Sequence, residues 1–500
     1  MMLDVAVYIV VALYLLTIVF VFFHSLFDAH LIFHYLKGNK KKRLAVADDY
    51  LPFVTIQLPV FNEMYVVERL LRAVSEMSYP TDKLEVQVLD DSTDETSEII
   101  NNLLEIFHKK NIPIHHIRRS KRDGFKAGAL KDALSVSRGE YIAIFDADFI
   151  PSADFLKKTI FHFVDVSIGM VQTRWGHVNK KTSLLATLQA LALDGHFSIE
   201  QQGRNKAGYF INFNGTAGVW RKQAILDAGN WQEDTLTEDF DLSYRAQMKG
   251  WRFKYLEDFI TPAELPPVVS ALKSQQFRWT KGGAETARKN LKHLSESRLP
   301  VSVKLHGIFH LIYSFGFISI ILYSVLTVPL LFIKESYPQL LFVFNISGVI
   351  GFSFLVYIVH YFISYFNYTE GTTLKKCFGF VLHFPLFVSL FIGLSLSNAI
   401  GIIQGYLGIR SGFVRTPKFN SMSAEKRQIN YSVQNKSWLT FVEGLLIFYF
   451  LFGLIQAFYF ENYKSVPLLI MALCGFTMIL FYTLKERLEK RPVLVHDRLT

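Results

Sequence analysis

The stretch YIAIFDADFI (Tyr141–Ile150) runs from mostly apolar residues directly into two carboxylates, Asp146 and Asp148. The apolar half predicts a buried strand. Two like charges one residue apart are costly beside such a strand unless a cation or a proton lies between them. The stretch therefore has two interpretations: a metal site, or a solvated turn whose acids cap a helix that begins near Pro151.

Strands of the same kind surround this stretch and alternate with helical patterns. They are FVTIQLPVFNE (Phe53–Glu63), LEVQVLDDSTDE (Leu84–Glu95) and IPIHHI (Ile112–Ile117). The alternation predicts a mostly parallel α/β sheet with helices on both faces, in which ligands bind at the carboxyl ends of the strands. The polar residues that fall at those ends are Asn62, Glu63, Asp90, Asp91, Asp146 and Asp148.

Two later stretches also carry chemistry. TEDFDLSYR (Thr237–Arg245) is either a helix N-terminus, where acids are favoured by the helix dipole, or a carboxylate base at the mouth of a site. In SQQFRWTKGG (Ser274–Gly283) an amide, a guanidinium and an indole share one helix face, which suits phosphate and the flat faces of sugar rings. The alternative is an amphipathic helix that leads to the membrane. The three residues on that face are Gln275, Arg278 and Trp279.

The composition indicates a membrane protein. The 500 residues are 51% hydrophobic and include 46 Phe and 23 Tyr, which is too apolar for an ordinary soluble protein. The formal charge of +10 comes from basic residues beside apolar runs, so membrane topology explains it better than nucleic acid does. Two cysteines provide no zinc or disulfide framework, so any metal must be held by oxygen ligands.

Apolar runs and the distribution of Lys and Arg predict the domain order. The positions of Pro385 and Asn398 suggest a broken membrane segment in the second half of the chain. We expect a multi-pass protein of a bacterial plasma (inner) membrane or a eukaryotic Golgi membrane. The predicted parts are an N-terminal transmembrane helix (1–36), a cytosolic domain (50–300), two transmembrane helices (301–370), an interfacial or re-entrant segment with a loop (377–437), two transmembrane helices (438–485) and a cytosolic tail (486–500).

In this order, the motifs resemble those of the processive, membrane-embedded family 2 glycosyltransferases. The likeness is to cellulose-synthase-like enzymes of the mannan and glucomannan synthase type. The matching stretches are Asp90-Asp91, Asp146-Ala147-Asp148, Thr237-Glu238-Asp239, Gln275-Gln276-Phe277-Arg278-Trp279, KRDGFKAGAL (Lys121–Leu130), VQTRWGHVN (Val171–Asn179) and FNGTAGVWR (Phe213–Arg221).

The resemblance implies a GT-A type, Rossmann-like catalytic domain plus an α-helical transmembrane bundle. It also implies a nucleotide-sugar donor, and Mg²⁺ or Mn²⁺ bound by Asp146 and Asp148, with Asp146 contacting the diphosphate. On the donor side it places Asp90 or Asp91 with Glu63 at the nucleoside, and Lys126 near the donor.

On the acceptor side the resemblance makes Asp239 the general base, with Glu238 beside the substrate. The resemblance also implies that Arg278 faces the diphosphate and that Gln275 and Trp279 line the site of the acceptor sugar.

The implied reaction is inverting transfer of a hexose from a UDP- or GDP-linked donor to a growing β-linked polysaccharide, which then crosses the lipid bilayer. One alternative is a non-processive enzyme that glycosylates a lipid such as ceramide or a polyprenyl phosphate. A rival of another class is a transporter or scaffold that binds nucleotide without chemistry. The loop GFVRTPKF (Gly412–Phe419) resembles a gating loop through Phe413, Thr416 and Lys418, although a plain connecting loop fits as well.

Overall fold

The computed structural model describes residues 2–37, 50–341, 343, 348–412, 418 and 437–489. Its centre is a seven-stranded sheet in the order β3-β2-β1-β4-β6-β5-β7. Only β6 runs antiparallel to its neighbours, and the other pairs are parallel. The strands are β1 Val54–Val60, β2 Leu84–Asp90, β3 Ile114–Arg118, β4 Tyr141–Ile144, β5 Ile168–His177, β6 Gly218–Arg221 and β7 Arg252–Ala263.

The central strands are buried on both faces. On β1 and β2 apolar residues alternate with polar ones, and the parallel register places the polar ones opposite each other. Thr55 donates to Glu85 over 2.6 Å and Gln57 donates to Gln87 over 3.0 Å, so these buried polar side chains pair across the two strands. The sheet can therefore lie between two helical layers, with its carboxyl-terminal edge open for a site.

Helices cover both faces of the sheet. On one face Ile56 and Leu58 pack with Leu70 and Phe107, and on the other Ile144 packs in a cluster that includes buried tryptophans. The helices of this domain are α2 Val67–Ser75, α3 Thr96–Lys109, α4 Phe125–Val136, α5 Phe155–Ile160, α6 Leu184–Gly195, α7 Gly203–Ala207, α8 Lys222–Asp227, α9 Glu238–Met248 and α10 Val269–Glu296. A π-helical turn, His196–Gln202, joins α6 to α7.

Further helices precede and follow this domain. They are α1 Met2–Leu36, α11 Val301–Leu311, α12 Gly316–Ser336, α13 Val349–Tyr368, α14 Thr373–Leu407, α15 Ser437–Tyr459 and α16 Val466–Glu489. Within the described part of the chain, six helical segments are long and apolar enough to cross a membrane: those of α1, α12, α13, α14, α15 and α16.

One expectation differs from the structure. The sequence predicted a broken segment around Pro385, but α14 is one continuous helix of 35 residues, so it does not fold back as a re-entrant segment would. Proline is tolerated inside such helices where neighbouring helices pack around it. Gly393 of α14 lies against Gly475 of α16, where an added Cβ would come within 2.4 Å of the Gly475 carbonyl oxygen. An interfacial position for this helix stays a prediction.

Candidate active site

A cleft lies at the carboxyl ends of β1, β2 and β4, and the N-terminal parts of α9 and α10 close its far side. Nearly all of the site residues predicted from the sequence line it. They are Glu63, Asp91, Lys126, Asp146, Asp148, Glu238, Asp239, Gln275, Arg278 and Trp279. Asp90 lies outside it.

The two acids that follow β4 both face the cleft. Asp146 accepts a hydrogen bond from Lys126 Nζ at 2.5 Å, and Asp148 accepts one from Lys418 Nζ at 2.7 Å. The Asp146 N–H donates to Thr216 Oγ1 at 2.8 Å, which fixes the turn after the strand. The two carboxylates therefore lie in a cleft, and each is paired with a lysine ammonium group.

Lys126 reaches this position from the first turn of α4. The helix follows Gly124, whose φ of +67° is in the left-handed region and where a Cβ would lie 1.9 Å from Glu233 Oε2. Lys126 also donates to the Gly215 carbonyl at 2.8 Å. Burial lowers the pKa of Lys126, but the carboxylates of Asp146 and Glu238 outweigh burial and raise it, so the side chain stays a cation.

The structure separates the two acids that end β2. Asp91 lines the cleft and is held by Arg119, with Nη2 at 2.6 Å and Nε at 3.1 Å. Beside it the Arg122 guanidinium stacks over the Phe61 ring, with Cζ 3.3 Å from the ring centroid. This end of the cleft thus offers a carboxylate and flat surfaces, as a nucleoside would require.

Asp90 points into the domain instead. It is 1% exposed and accepts hydrogen bonds from His116 Nε2 (2.9 Å), the Ser92 N–H (2.8 Å) and Ser97 Oγ (2.5 Å). Burial raises its pKa, but these donors outweigh burial and hold the pKa at about 2. Of the two alternatives for the nucleoside, only Asp91 is in position.

Asp239 stands in the first turn of α9. Burial, and after it the Glu238 carboxylate, raise its pKa to about 7, although Lys126 opposes the rise. The Phe240 N–H donates to its Oδ1 at 2.8 Å. Gly215 leaves room for this carboxylate, because a Cβ there would lie 3.0 Å from Asp239 Oδ2. A carboxyl group with a pKa near neutrality is suited to accept a proton.

Helix α10 brings its polar face to the same cleft, and it packs directly on the segment that leads into α9. A Cβ at Gly282 would lie 2.6 Å from Thr237 Cγ2. Thr237 Oγ1 is 3.1 Å from Thr286 Oγ1, and the Leu236 N–H donates to Glu285 at 2.8 Å. The position of Asp239 is therefore tied to α10, which carries Arg278.

A second, larger cavity adjoins the cleft and extends between the membrane-type helices. Its lining is mainly apolar and aromatic. The residues that line both cavities are Trp175, Leu193, Asn214, Thr237, Asp239 and Trp279. Trp175 and Asn214 belong to stretches that resembled the family, but the sequence assigned them no role, because nothing local shows that a second cavity meets the cleft there.

The side chains of the cleft supply only some of the ligands that a divalent cation needs. Over the described residues, no three His, Cys, Asp or Glu side chains converge as a self-sufficient metal site. Asp146 and Asp148 present two carboxylates to an open cleft, and each already attracts an ammonium group. Two carboxylates suit a hard cation that takes its remaining ligands from phosphate and water.

Comparisons with known proteins concern the α/β domain that carries this cleft. The family described as Glycosyltransferase like family 2 matches residues 52–282. A probable glucomannan 4-beta-mannosyltransferase 7 of Oryza sativa subsp. japonica is 43% identical over 272 residues, which are 53% of this chain and 46% of that protein. A glucomannan 4-beta-mannosyltransferase 1 of Cyamopsis tetragonoloba is 41% identical over 284 residues, 56% of this chain and 53% of that protein. The chain spans about half the length of these relatives.

A mannosyltransferase from Pyrobaculum calidifontis, solved in complex with GDP-Man and Mn²⁺, has a similar fold. Its TM-score is 0.54 at 17% identity, over 79% of this chain and 99% of that one. The predicted fold class, a GT-A type domain with apolar helices, is confirmed. The α/β domain thus matches the family 2 glycosyltransferases over residues 52–282, and it is similar there to glucomannan 4-beta-mannosyltransferases.

Proposed function

We propose that this protein is an inverting glycosyltransferase that adds hexoses from a nucleotide-diphospho-sugar to the end of a β-linked polysaccharide. The observation that carries the proposal is the single cleft that gathers Asp239, the acids Asp146 and Asp148, and Arg278. The relatives are named as 4-beta-mannosyltransferases, so GDP-mannose is the first donor to test.

In this reaction the acceptor hydroxyl oxygen bonds to the anomeric carbon as the bond from that carbon to the donor diphosphate breaks. The hydroxyl proton passes to Asp239, whose raised pKa suits it as the base. The leaving diphosphate gathers negative charge, which the cations Arg278 and Lys126 stabilise from the cleft wall. One base suffices because no covalent intermediate forms, unlike the two carboxyl groups of a typical glycoside hydrolase.

Asp146 and Asp148 are the residues that would hold Mg²⁺ or Mn²⁺. When bound there, the ion supplies charge neutralisation at the donor diphosphate. In the structure, Lys126 donates a hydrogen bond to Asp146 and Lys418 donates one to Asp148.

The second cavity supports a polymeric acceptor. Its volume far exceeds that of one sugar, and it begins at Trp279 beside the base. The Trp175 Nε1–H, at the junction of the two cavities, is buried without a hydrogen-bond partner among the described residues, so it can donate to a sugar hydroxyl. We propose that the growing chain passes through this cavity across the bilayer, with the catalytic domain in the cytosol, where nucleotide sugars are made.

The mainly apolar lining of the same cavity favours the second candidate, a lipid acceptor that receives one sugar. The deciding experiment uses the purified protein in nanodiscs with Mn²⁺ or Mg²⁺. GDP-mannose, UDP-glucose, UDP-N-acetylglucosamine and UDP-galactose are supplied separately, and nucleotide release and product size are measured. A long polymer from one donor supports the proposal. A one-sugar product that requires added lipid would support the alternative.

The Asp239→Asn variant is the matched control. It should bind nucleotide as the wild type does and lose transfer, because the amide cannot take a proton. Transfer that survives this change would show that Asp239 is not the base.

A further inference from the structure

The first turn of α10 is buried and its backbone donors need partners. Val269 is 0% and Ser270 is 2% exposed, so water cannot satisfy the N–H groups that a helix leaves free at its start. The preceding residue, Val268, supplies no side-chain cap. The carboxylate of Glu486, near the end of α16, accepts from the Val269 N–H and, at 3.2 Å, from the Ser270 N–H. A distant helix therefore caps α10.

One turn further along, α10 is held by a second carboxylate. Lys273 Nζ lies 2.6 Å from Glu443 Oε1 of α15, and the two side chains are 9% and 0% exposed. Removing one partner of a buried ion pair leaves an uncompensated charge. The pair therefore opposes any movement of α10 that would separate Lys273 from Glu443. The last two helices thus reach α10 at two neighbouring points.

The anchored face and the substrate face of α10 are opposite. At about 100° per residue, Gln275, Arg278 and Trp279 point roughly 140–240° around the helix from Lys273. Arg278 lies only about 8 Å along the axis from Lys273. Any rotation or slide of the first two turns is therefore transmitted directly to the side chains in the cleft.

We propose that Glu486 and Glu443 are positioning residues for sugar transfer. By capping and pairing the start of α10, they fix its rotation and axial position and so place Arg278 and Trp279 in the cleft. Both residues lie outside residues 52–282, which carry the family match. The inference rests on the proposed function, since it concerns the efficiency of that transfer.

The test compares Glu486→Leu, which removes the acceptor, with Glu486→Gln, which keeps an acceptor oxygen. We expect Glu486→Leu to lower the transfer kcat by about 10- to 100-fold, because displacements near 1 Å cost that much. Glu486→Gln should recover most of the rate. The apparent KM for the donor should change less than kcat, because Asp91 and Glu63, unlike Arg278, lie at strand ends that α10 does not position.

The second pair of variants concerns the ion pair. Glu443→Leu alone should lower kcat and raise the share of donor that is hydrolysed without transfer, while the double variant Glu443→Leu/Lys273→Met should recover toward the wild type. Glu296→Gln is the matched control, because this carboxylate lies at the other end of α10 and its side chain is 63% exposed. It should behave like the wild type.

Hydrogen exchange separates the possible failures. The peptide that covers residues 268–274 should exchange faster in Glu486→Leu than in the wild type. Faster exchange with an unchanged kcat would overturn the positioning role, and so would equal losses of donor binding and transfer. If the wild type transfers sugar from no donor, the proposed function fails first, and this assignment fails with it.

Discussion

At the scale of single residues, the proposed base, Asp239, should make sugar transfer sensitive to pH. Its pKa is raised to about 7 by burial and by Glu238, so this carboxyl group is mostly protonated at pH 6 and mostly ionised at pH 8. We expect kcat/KM for transfer to rise about tenfold from pH 6 to pH 8 and then level off, because only the ionised form accepts the proton. An ordinary aspartate, with a pKa near 3.9, would give a flat profile over this range.

Two neighbours of Asp239 provide opposite controls for this profile. Glu238→Gln removes a negative charge that raises the pKa of Asp239, so the midpoint should move to lower pH. Lys126→Met removes a positive charge that lowers it, so the midpoint should move to higher pH. If both variants keep the midpoint of the wild type, a group other than Asp239 sets the pH profile.

The alternative between Asp90 and Asp91 shows what sequence can decide at this scale. Both acids were predicted at the end of a strand, and they are there. Side chains of successive residues in a strand point to opposite sides, so only one could enter the cleft. Which one depends on His116, 26 positions away, and on Arg119, both of which become neighbours only in the folded sheet.

Asn substitutions at these two positions should therefore have different effects. Asp90→Asn should lower stability by about 2 kcal/mol at neutral pH, because a carboxyl group with a depressed pKa stabilises the fold when ionised. This contribution is present above the unfolded pKa near 3.8 and is lost as pH falls toward 2. Asp91→Asn should instead weaken nucleotide binding. Thermal unfolding and nucleotide titration measure the two effects, and an exchange of phenotypes would contradict the assignment.

At the scale of elements, the contact between α10 and the start of α9 joins the helix that carries Arg278 to the segment that carries Asp239. A Cβ at Gly282 would lie 2.6 Å from Thr237 Cγ2 and 2.9 Å from the Thr237 N. Gly282→Ala should push the segment that carries Asp239 out of place and lower the transfer rate at least tenfold. Initial rates at saturating donor measure this.

Gly283 is the matched control, since it is the next residue on the same helix. A Cβ there meets nothing closer than Ser314 Oγ at 3.8 Å, an ordinary contact. Gly283→Ala should therefore keep its activity and add up to about 1 kcal/mol of helix stability. Equal losses in both alanine variants would mean that the helix, and not its contact with Thr237, is the sensitive feature.

The face of α10 that meets the cleft could be predicted from the sequence, because its i, i+3, i+4 spacing is a local property of a helix. Its anchors could not be predicted in this way. Lys273 and Glu443 are 170 positions apart, and they become neighbours only in the folded protein. The helix α14 is a similar case: Pro385 predicted a break in the helix, but the folded helix continues through it.

At the scale of the whole molecule, the arrangement of the helices creates a space that no single stretch of sequence indicates. The lining of the second cavity comes from residues as far apart as Tyr14 and Met471. The apolar runs predicted where membrane helices occur, but they carry no information about which faces surround a cavity. The cleft, in contrast, is built at strand ends that the sequence marks with acids.

Blocking that cavity tests whether the product passes through it. Gly316 lines the cavity, and a Cβ there has no described atom within 4 Å, so the Gly316→Trp indole can enter the open space. We expect shorter products and a larger share of donor hydrolysis, with nucleotide binding unchanged, because the base and the donor site are untouched. Gly444→Trp is the control: its Cβ also has no described neighbour within 4 Å, and Gly444 does not line the cavity. Polymers of wild-type length from Gly316→Trp would show that the product leaves by another path.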